Sequence, residues 1–279
     1  MLEKKMQWQS VDGLNLLARE WEPETAAKGM ICLIHGLGEH TGRYRHWAKR
    51  LTEAGYAMVS IDLRGHGKSG GSRGDTPSYD HLADDVDMML IYAREKFAHL
   101  PCFLYGHSMG GMLVLFHLIQ RRPPLTGAVI TSPFLHSVLD QRKDRIAMTV
   151  MLSKIIPQMT VPNNIALENL SHDPEVISAY RNDPLVHARV SLRMGKGFLD
   201  TIKYIFNRAG EIKLPLLIMH GTGDRITFSS GSEKLAGLVS GDCTLKLWEG
   251  LYHELHNEIE KEQVFIYLVK WLNSKVKQD

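Results

Sequence analysis

The run Gly106-His107-Ser108-Met109-Gly110-Gly111 constrains this chain more than any other stretch. Cys102-Phe103-Leu104-Tyr105, an apolar run of strand length, leads into it after Pro101. Met112 to Ile119, apolar nearly all round, leads out of it with the length of a buried helix. A G-x-S-x-G between a strand and a helix is the context of a nucleophile elbow, a tight turn that leaves the serine hydroxyl exposed at the strand end. Gly106 and Gly110 have no Cβ, so neighbouring backbone can approach closely. The helix after the turn points its free N–H groups and positive dipole end toward whatever Ser108 attacks.

The same alternation of buried strand and helix extends through the chain. Met6–Val11 and Leu14–Trp21 flank Asp12-Gly13, a hairpin signal. Runs at 30–34, 57–61, 100–105 and 128–131 read as strands covered on both faces, with helices predicted over about 44–54 and 78–98. Residues 134–205 break the pattern and read as mostly helical. Strands resume at 214–219 and 244–248, with helices near 230–239 and 259–272. The predicted fold class is α/β, a single domain over 1–279. It has a mostly parallel, doubly wound sheet of about eight strands and a helical lid, 134–205, inserted after the sixth strand. In such sheets ligands bind at the carboxyl ends of the strands.

A serine hydroxyl needs a base, and the base needs an acid to orient it. In this topology the acid follows a late strand and the histidine follows the last one. Asp224 follows the strand at 214–219, and His253 follows the strand at 244–248. Asp62 and Asp183 are rivals for the acid, and His256 for the histidine. Two backbone donors should face the developing oxyanion: Met109 N–H, directly after the serine, and Leu37 N–H, in the His35-Gly36-Leu37-Gly38 loop after the third strand.

Six stretches together, HGLGEHTGRY from His35, DLRGHGKSGG from Asp62, GHSMGG from Gly106, NDPLV from Asn182, HGTGDRI from His220 and LYHELHNE from Leu251, resemble the monoacylglycerol lipase and lysophospholipase branch of the α/β-hydrolases. The resemblance runs from about residue 11 to the C-terminus. It implies an α/β-hydrolase fold and a serine hydrolase that cleaves monoacylglycerols to fatty acid and glycerol through an acyl-serine. By the same resemblance Glu39, Arg43 and His256 contact the glycerol head group, with Tyr180 facing it as well. The alternatives are a lysophospholipase, for which Arg43 and Arg64 are the available phosphate donors, and a broad carboxylesterase. Further off stand a serine aminopeptidase, for which Glu39 could hold a free amino terminus, and a non-catalytic ligand-binding scaffold.

Other signals exclude function classes. Gly65-x-Gly67-x-x-Gly70 follows a strand but leads into Gly71 and Pro77, not a helix, so no helix N-terminus is at hand for a pyrophosphate. His253-Glu254-Leu255-His256 is one residue short of H-E-x-x-H, and the 14 histidines form no metal-ligand pattern; no metal or cofactor is expected. A net charge of +2 gives no field for nucleic acid. No apolar leader or membrane-length run occurs, and three cysteines form no disulfide framework, which points to a reducing, cytoplasmic location, at most peripheral to membranes. Met148, Met151, Leu152, Ile155 and Ile156 form one helical stripe, with Ile146 and Val150 off it. One face of that helix is expected on the sheet, the other lining an acyl tunnel or touching lipid aggregates. Oligomeric state is left open.

Overall fold

Alternation of side chains along buried strands builds both halves of the core. The computed structural model describes residues 1–276. Its sheet has eight strands: β1 (Leu2–Gln9), β2 (Asn15–Glu22), β3 (Gly29–Ile34), β4 (Tyr56–Ile61), β5 (Cys102–His107), β6 (Gly127–Thr131), and, after the insertion, β9 (Leu216–Gly221) and β10 (Cys243–Trp248). Their order is β1-β2-β4-β3-β5-β6-β9-β10. The first two pairings in that order are antiparallel and the rest parallel. Met30, Cys32, Ile34 and Leu104 face one way, against α2 (Tyr79–Lys96), α3 (Met109–Arg121) and α7 (Ser229–Leu238). Ile31, Leu33, Phe103 and Tyr105 face the other way, against α1 (Arg45–Glu53) and α8 (Lys261–Lys275). A period-2 side-chain pattern with apolar residues on both faces requires helices on both sides.

The first hairpin departs from the expectation. Its strand runs over Leu2–Gln9, not Met6–Val11, and the turn takes up Val11–Gly13. Ser10 N–H donates to Leu14 O, which leaves a three-residue loop with Gly13 in the left-handed region at φ 82°. A run of three charged residues (Glu3, Lys4, Lys5) on this edge strand conceals it from a hydrophobicity reading.

Between β6 and β9 lie α4 (Lys143–Leu152), β7 (Thr160–Pro162), α5 (Pro174–Asn182), β8 (Arg189–Ser191) and α6 (Leu192–Arg208). The segment is therefore not all helix: β7 and β8 pair as a short antiparallel ribbon. Met194, Phe198, Thr201 and Ile205 bury α6. By contrast, α4 has no buried residue. The expected docking of one of its faces on the sheet does not occur: α4 rests on α6 instead, and Met148, Met151, Ile155 and Met159 are 51–71% exposed. The segment is fastened where His187 N–H donates to Gly38 O (2.9 Å) and Ser191 N–H to Gly74 O (2.8 Å). Gly38 has φ 79°, and a Cβ there would sit 2.3 Å from His187 O, so only glycine fits under this crossing. Among the described residues no helix is long and apolar enough to cross a membrane.

Candidate active site

Ser108 joins β5 to α3 with φ 55° and ψ −119°, a strained conformation for a residue with a side chain. A Cβ at position 110 would lie 2.3 Å from Ile34 O, so the elbow closes against β3 only because Gly110 lacks one. Ser108 N–H donates to Thr131 O (2.9 Å), which ties the turn to β6.

Three residues predicted from chain order converge at the carboxyl edge of the sheet. Ser108 Oγ is 2.9 Å from His253 Nε2, and His253 Nδ1 is 2.7 Å from Asp224 Oδ2. A carboxylate only accepts, so Nδ1 carries the proton and Nε2 is left to accept from the serine. Asp224 takes four further hydrogen bonds: from Ile226 N–H (2.8 Å) and Thr227 N–H (3.0 Å) to Oδ1, and from Thr227 Oγ1 (2.9 Å) and His220 Nε2 (3.1 Å) to Oδ2. Burial alone would raise its pKa, but His253 and the donors around it hold the carboxyl far below its ordinary range. Burial would lower the His253 pKa, yet the Asp224 charge outweighs it and carries the imidazole above its ordinary value.

The loop that carries His253 is held from the body and from the inserted segment. Ser132 Oγ donates to His253 O (2.8 Å), and Glu254 N–H donates to Leu170 O (2.8 Å). The fully buried Glu258 accepts from Tyr252 N–H (2.6 Å) and His172 N–H (2.9 Å). On the opposite side, His35 Nε2 accepts from Leu63 N–H (2.9 Å), so its Nδ1–H donates to Gly36 O (2.8 Å) and fixes the loop after β3. Gly36 N–H is taken by Glu39 Oε1 (2.6 Å). Leu37 and Met109 give their N–H groups to no protein acceptor among the described residues.

The four head-group candidates separate. Glu39 and Tyr180 line the cavity at Ser108, together with Glu254, Ile165 and Leu170. Arg43 does not line it and faces a second cavity of about 330 Å³ instead. Its guanidinium donates to Glu39 (2.6 Å) and to both Glu254 oxygens (2.6 and 2.7 Å), and the Tyr180 ring covers it at 4.6 Å. Burial opposes the charge on Arg43, but the two glutamates outweigh it and raise its pKa well above normal. Burial likewise opposes the charge on Glu254, and Arg43 holds that carboxyl well below its ordinary range. His256 is fully buried, stacked on Tyr44 at 4.7 Å and beside His107 at 5.0 Å, and does not line the cavity. A 3₁₀ turn at Leu255–Asn257 carries it into the core beside α1. Neither Arg43 nor His256 lines the cavity at Ser108: one is enclosed by two carboxylates, the other packed behind His107.

The rivals have other partners. Asp62 accepts from Thr41 N–H (2.9 Å), Thr41 Oγ1 (2.7 Å) and Lys68 N–H (2.8 Å), and Asp183 pairs with His40 (2.9 Å). Arg64 is clamped by Asp85 and Asp12, so neither proposed phosphate donor is unpaired. Sequence reasoning missed Glu254, Thr227 and His220. Nothing local marks Glu254, because its partner Arg43 lies 211 residues away. The cavity at Ser108 has a volume of about 20 Å³, room for about one water molecule. Ile165, Leu170 and Tyr180 of the segment between β6 and β9 form part of its wall. No cluster of metal-ligating side chains occurs among the described residues.

Over residues 25–260 the chain matches the family described as serine aminopeptidase, S33. It is 32% identical to a monoacylglycerol lipase of Mycolicibacterium smegmatis, with 95% of each chain covered. It is 34% identical to phospholipase YtpA of Bacillus subtilis, over 85% of this chain and 92% of the relative. A Dictyostelium discoideum abhydrolase domain-containing protein is 34% identical over 95% of this chain, which spans 28% of that relative. Among solved structures, the monoacylglycerol lipase of Paleococcus ferrophilus superposes with a TM-score of 0.86 at 32% identity, covering 93% of this chain and 99% of that one.

Proposed function

The chain belongs to the serine aminopeptidase S33 family and has the α/β-hydrolase fold; we propose that it cleaves the ester bond of monoacylglycerols. The observation that carries this reading is the continuous hydrogen-bonded line from Ser108 through His253 to Asp224, 2.9 and 2.7 Å long. Ser108 attacks the ester carbonyl while His253 takes its proton. Asp224 orients the imidazole and stabilises its charged form. Leu37 and Met109 N–H donate to the tetrahedral oxyanion. His253 then protonates the departing glycerol. Water, deprotonated by the same imidazole, releases the fatty acid from the acyl-serine. A lipid ester is the substrate, supported by the monoacylglycerol lipases among the relatives. Glu39, Glu254 and Tyr180 line the cavity beside Ser108 and, in this reading, meet the leaving alcohol.

The reading is tested by fatty-acid release from monoolein, run beside diolein, lysophosphatidylcholine and a prolyl-naphthylamide. Turnover of monoolein above the other three is expected; release of the naphthylamine above all esters would turn the reading to the peptidase side of the family.

The acid side of the pH profile follows from the site. Protonated His253 cannot accept from Ser108, and its pKa is raised, so activity is lost as pH falls through a value above the ordinary 6.5 or so. The kcat/KM of a water-soluble ester should show that limb. A limb at or below the ordinary value would contradict the ion pair with Asp224.

The exposed side chains of the inserted segment contact the lipid phase in this reading. Met148, Met151, Ile155 and Met159 form the apolar surface. The variant Met151→Asp/Ile155→Asp is expected to lose severalfold in rate on monoolein micelles, with an unchanged rate on a soluble short-chain ester. An equal loss on both substrates would place the effect on the fold.

A further inference from the structure

The charge of the cavity at Ser108 says more about its alcohol than the hydroxyl groups of glycerol require. Two of its lining side chains, Glu39 and Glu254, are carboxylates, and none is a lysine or arginine. Glu39 accepts three hydrogen bonds, from Gly36 N–H (2.6 Å), Tyr44 OH (2.7 Å) and Arg43 Nη1 (2.6 Å), the pattern of an ionised group. Glu254 accepts from both Arg43 nitrogens and from Asn257 Nδ2 (2.7 Å). One guanidinium therefore faces two carboxylates. That guanidinium sits behind them, on the side of the second cavity, with Tyr180 over its face. A ligand at Ser108 meets the two acids before it meets the arginine. Asp224 adds a further negative charge, matched when His253 is protonated.

We infer that the alcohol side of this site selects a cation: esters of amino alcohols that carry a positive charge are better substrates than their neutral counterparts, and esters with an anionic head are worse. The inference rests on the ester-hydrolase reading above and narrows its substrate class. An uncompensated charge within several ångströms, behind a wall that excludes most water, is worth about tenfold in kcat/KM for each step of ligand charge. An ester whose head is an anionic phosphate falls on the disfavoured side.

Three decanoyl esters test it, alike in shape and different in charge: the ester of choline (+1), of 3,3-dimethylbutanol (0) and of 2-hydroxyethanesulfonate (−1). All are assayed with the full chain, below their aggregation concentrations and on the pH plateau, beside a monoacylglycerol of the same acyl length. The expected order of kcat/KM is choline ester, neutral ester, sulfonate ester, with about tenfold between neighbours. In Glu254→Gln one carboxylate remains for one guanidinium, with Asp224 still in place, and each step of the series should shrink from about tenfold to about threefold. Ratios from one preparation cancel any loss of folded protein. A flat or reversed order in the wild-type chain, with the monoacylglycerol cleaved, overturns the charge selection and leaves the hydrolase reading standing. If no ester is cleaved, the hydrolase reading fails and this inference falls with it.

Discussion

With alanine in place of Ser108, hydrolysis of monoacylglycerol is expected to fall by about 10⁴- to 10⁶-fold in kcat. The change removes only the attacking oxygen. His253 keeps its 2.7 Å bond to Asp224, and the donors at Leu37 and Met109 stay in place. Substrate binding should therefore hold, and the loss should fall on kcat with little change in KM. The fold should be intact, since alanine keeps the Cβ that already occupies the elbow at φ 55°. A serine-directed fluorophosphonate is expected to label the wild-type chain once and the variant not at all. Activity within tenfold of wild type in Ser108→Ala would rule out the acyl-serine, whatever the hydrogen-bond geometry.

The second large effect is on stability. Arg43→Met leaves Glu39 and Glu254, 3% and 2% exposed, facing each other without a counter-charge. Breaking a buried pair by removing one partner costs about 3–5 kcal/mol, because the remaining charge stays desolvated. Here two carboxylates share the one guanidinium, so the cost belongs at the upper end. A melting temperature lower by on the order of 10 °C is expected. Adding Glu39→Gln and Glu254→Gln to the same chain should recover part of it, since the uncompensated charges are then gone. This outcome separates the architectural role of Arg43 from a head-group role. A direct ligand would raise KM for monoacylglycerol and leave the melting temperature within about 1–2 °C, the change usual for a surface substitution.

Much of the fold was legible because its signals are local or periodic. Continuous apolar runs marked the central strands, and the strand–turn–helix around Ser108 marked the elbow. Asp224 and His253 were readable because topology fixes where they must lie: each follows a strand, and parallel strands bring their carboxyl ends to one edge. The start of the edge strand β1 escaped the sequence reading because its run of charges at 3–5 resembles a polar surface. The α4 stripe was legible as apolar, but whether its face meets the sheet, a tunnel or solvent depends on how α6 packs on α3, which involves residues far from α4 in sequence. The head-group candidates show the same limit. Glu39 and Arg43, four residues apart, do pair, as their spacing allows, but the partner that draws Arg43 away from the serine is Glu254, from the last loop.

The amino-acid sequence alone determined the α/β alternation, the elbow and the order of serine, acid and histidine, because each rests on residue type at short range or on the fixed direction of parallel strands. Only the tertiary structure decided the sign of charge at Ser108, the burial of His256 and the size of the cavity. Those depend on which of several carboxylates shares an arginine, and on how tightly a distant segment closes over the strand ends. Such contacts are chosen by packing across the whole chain, and no window of sequence contains both partners.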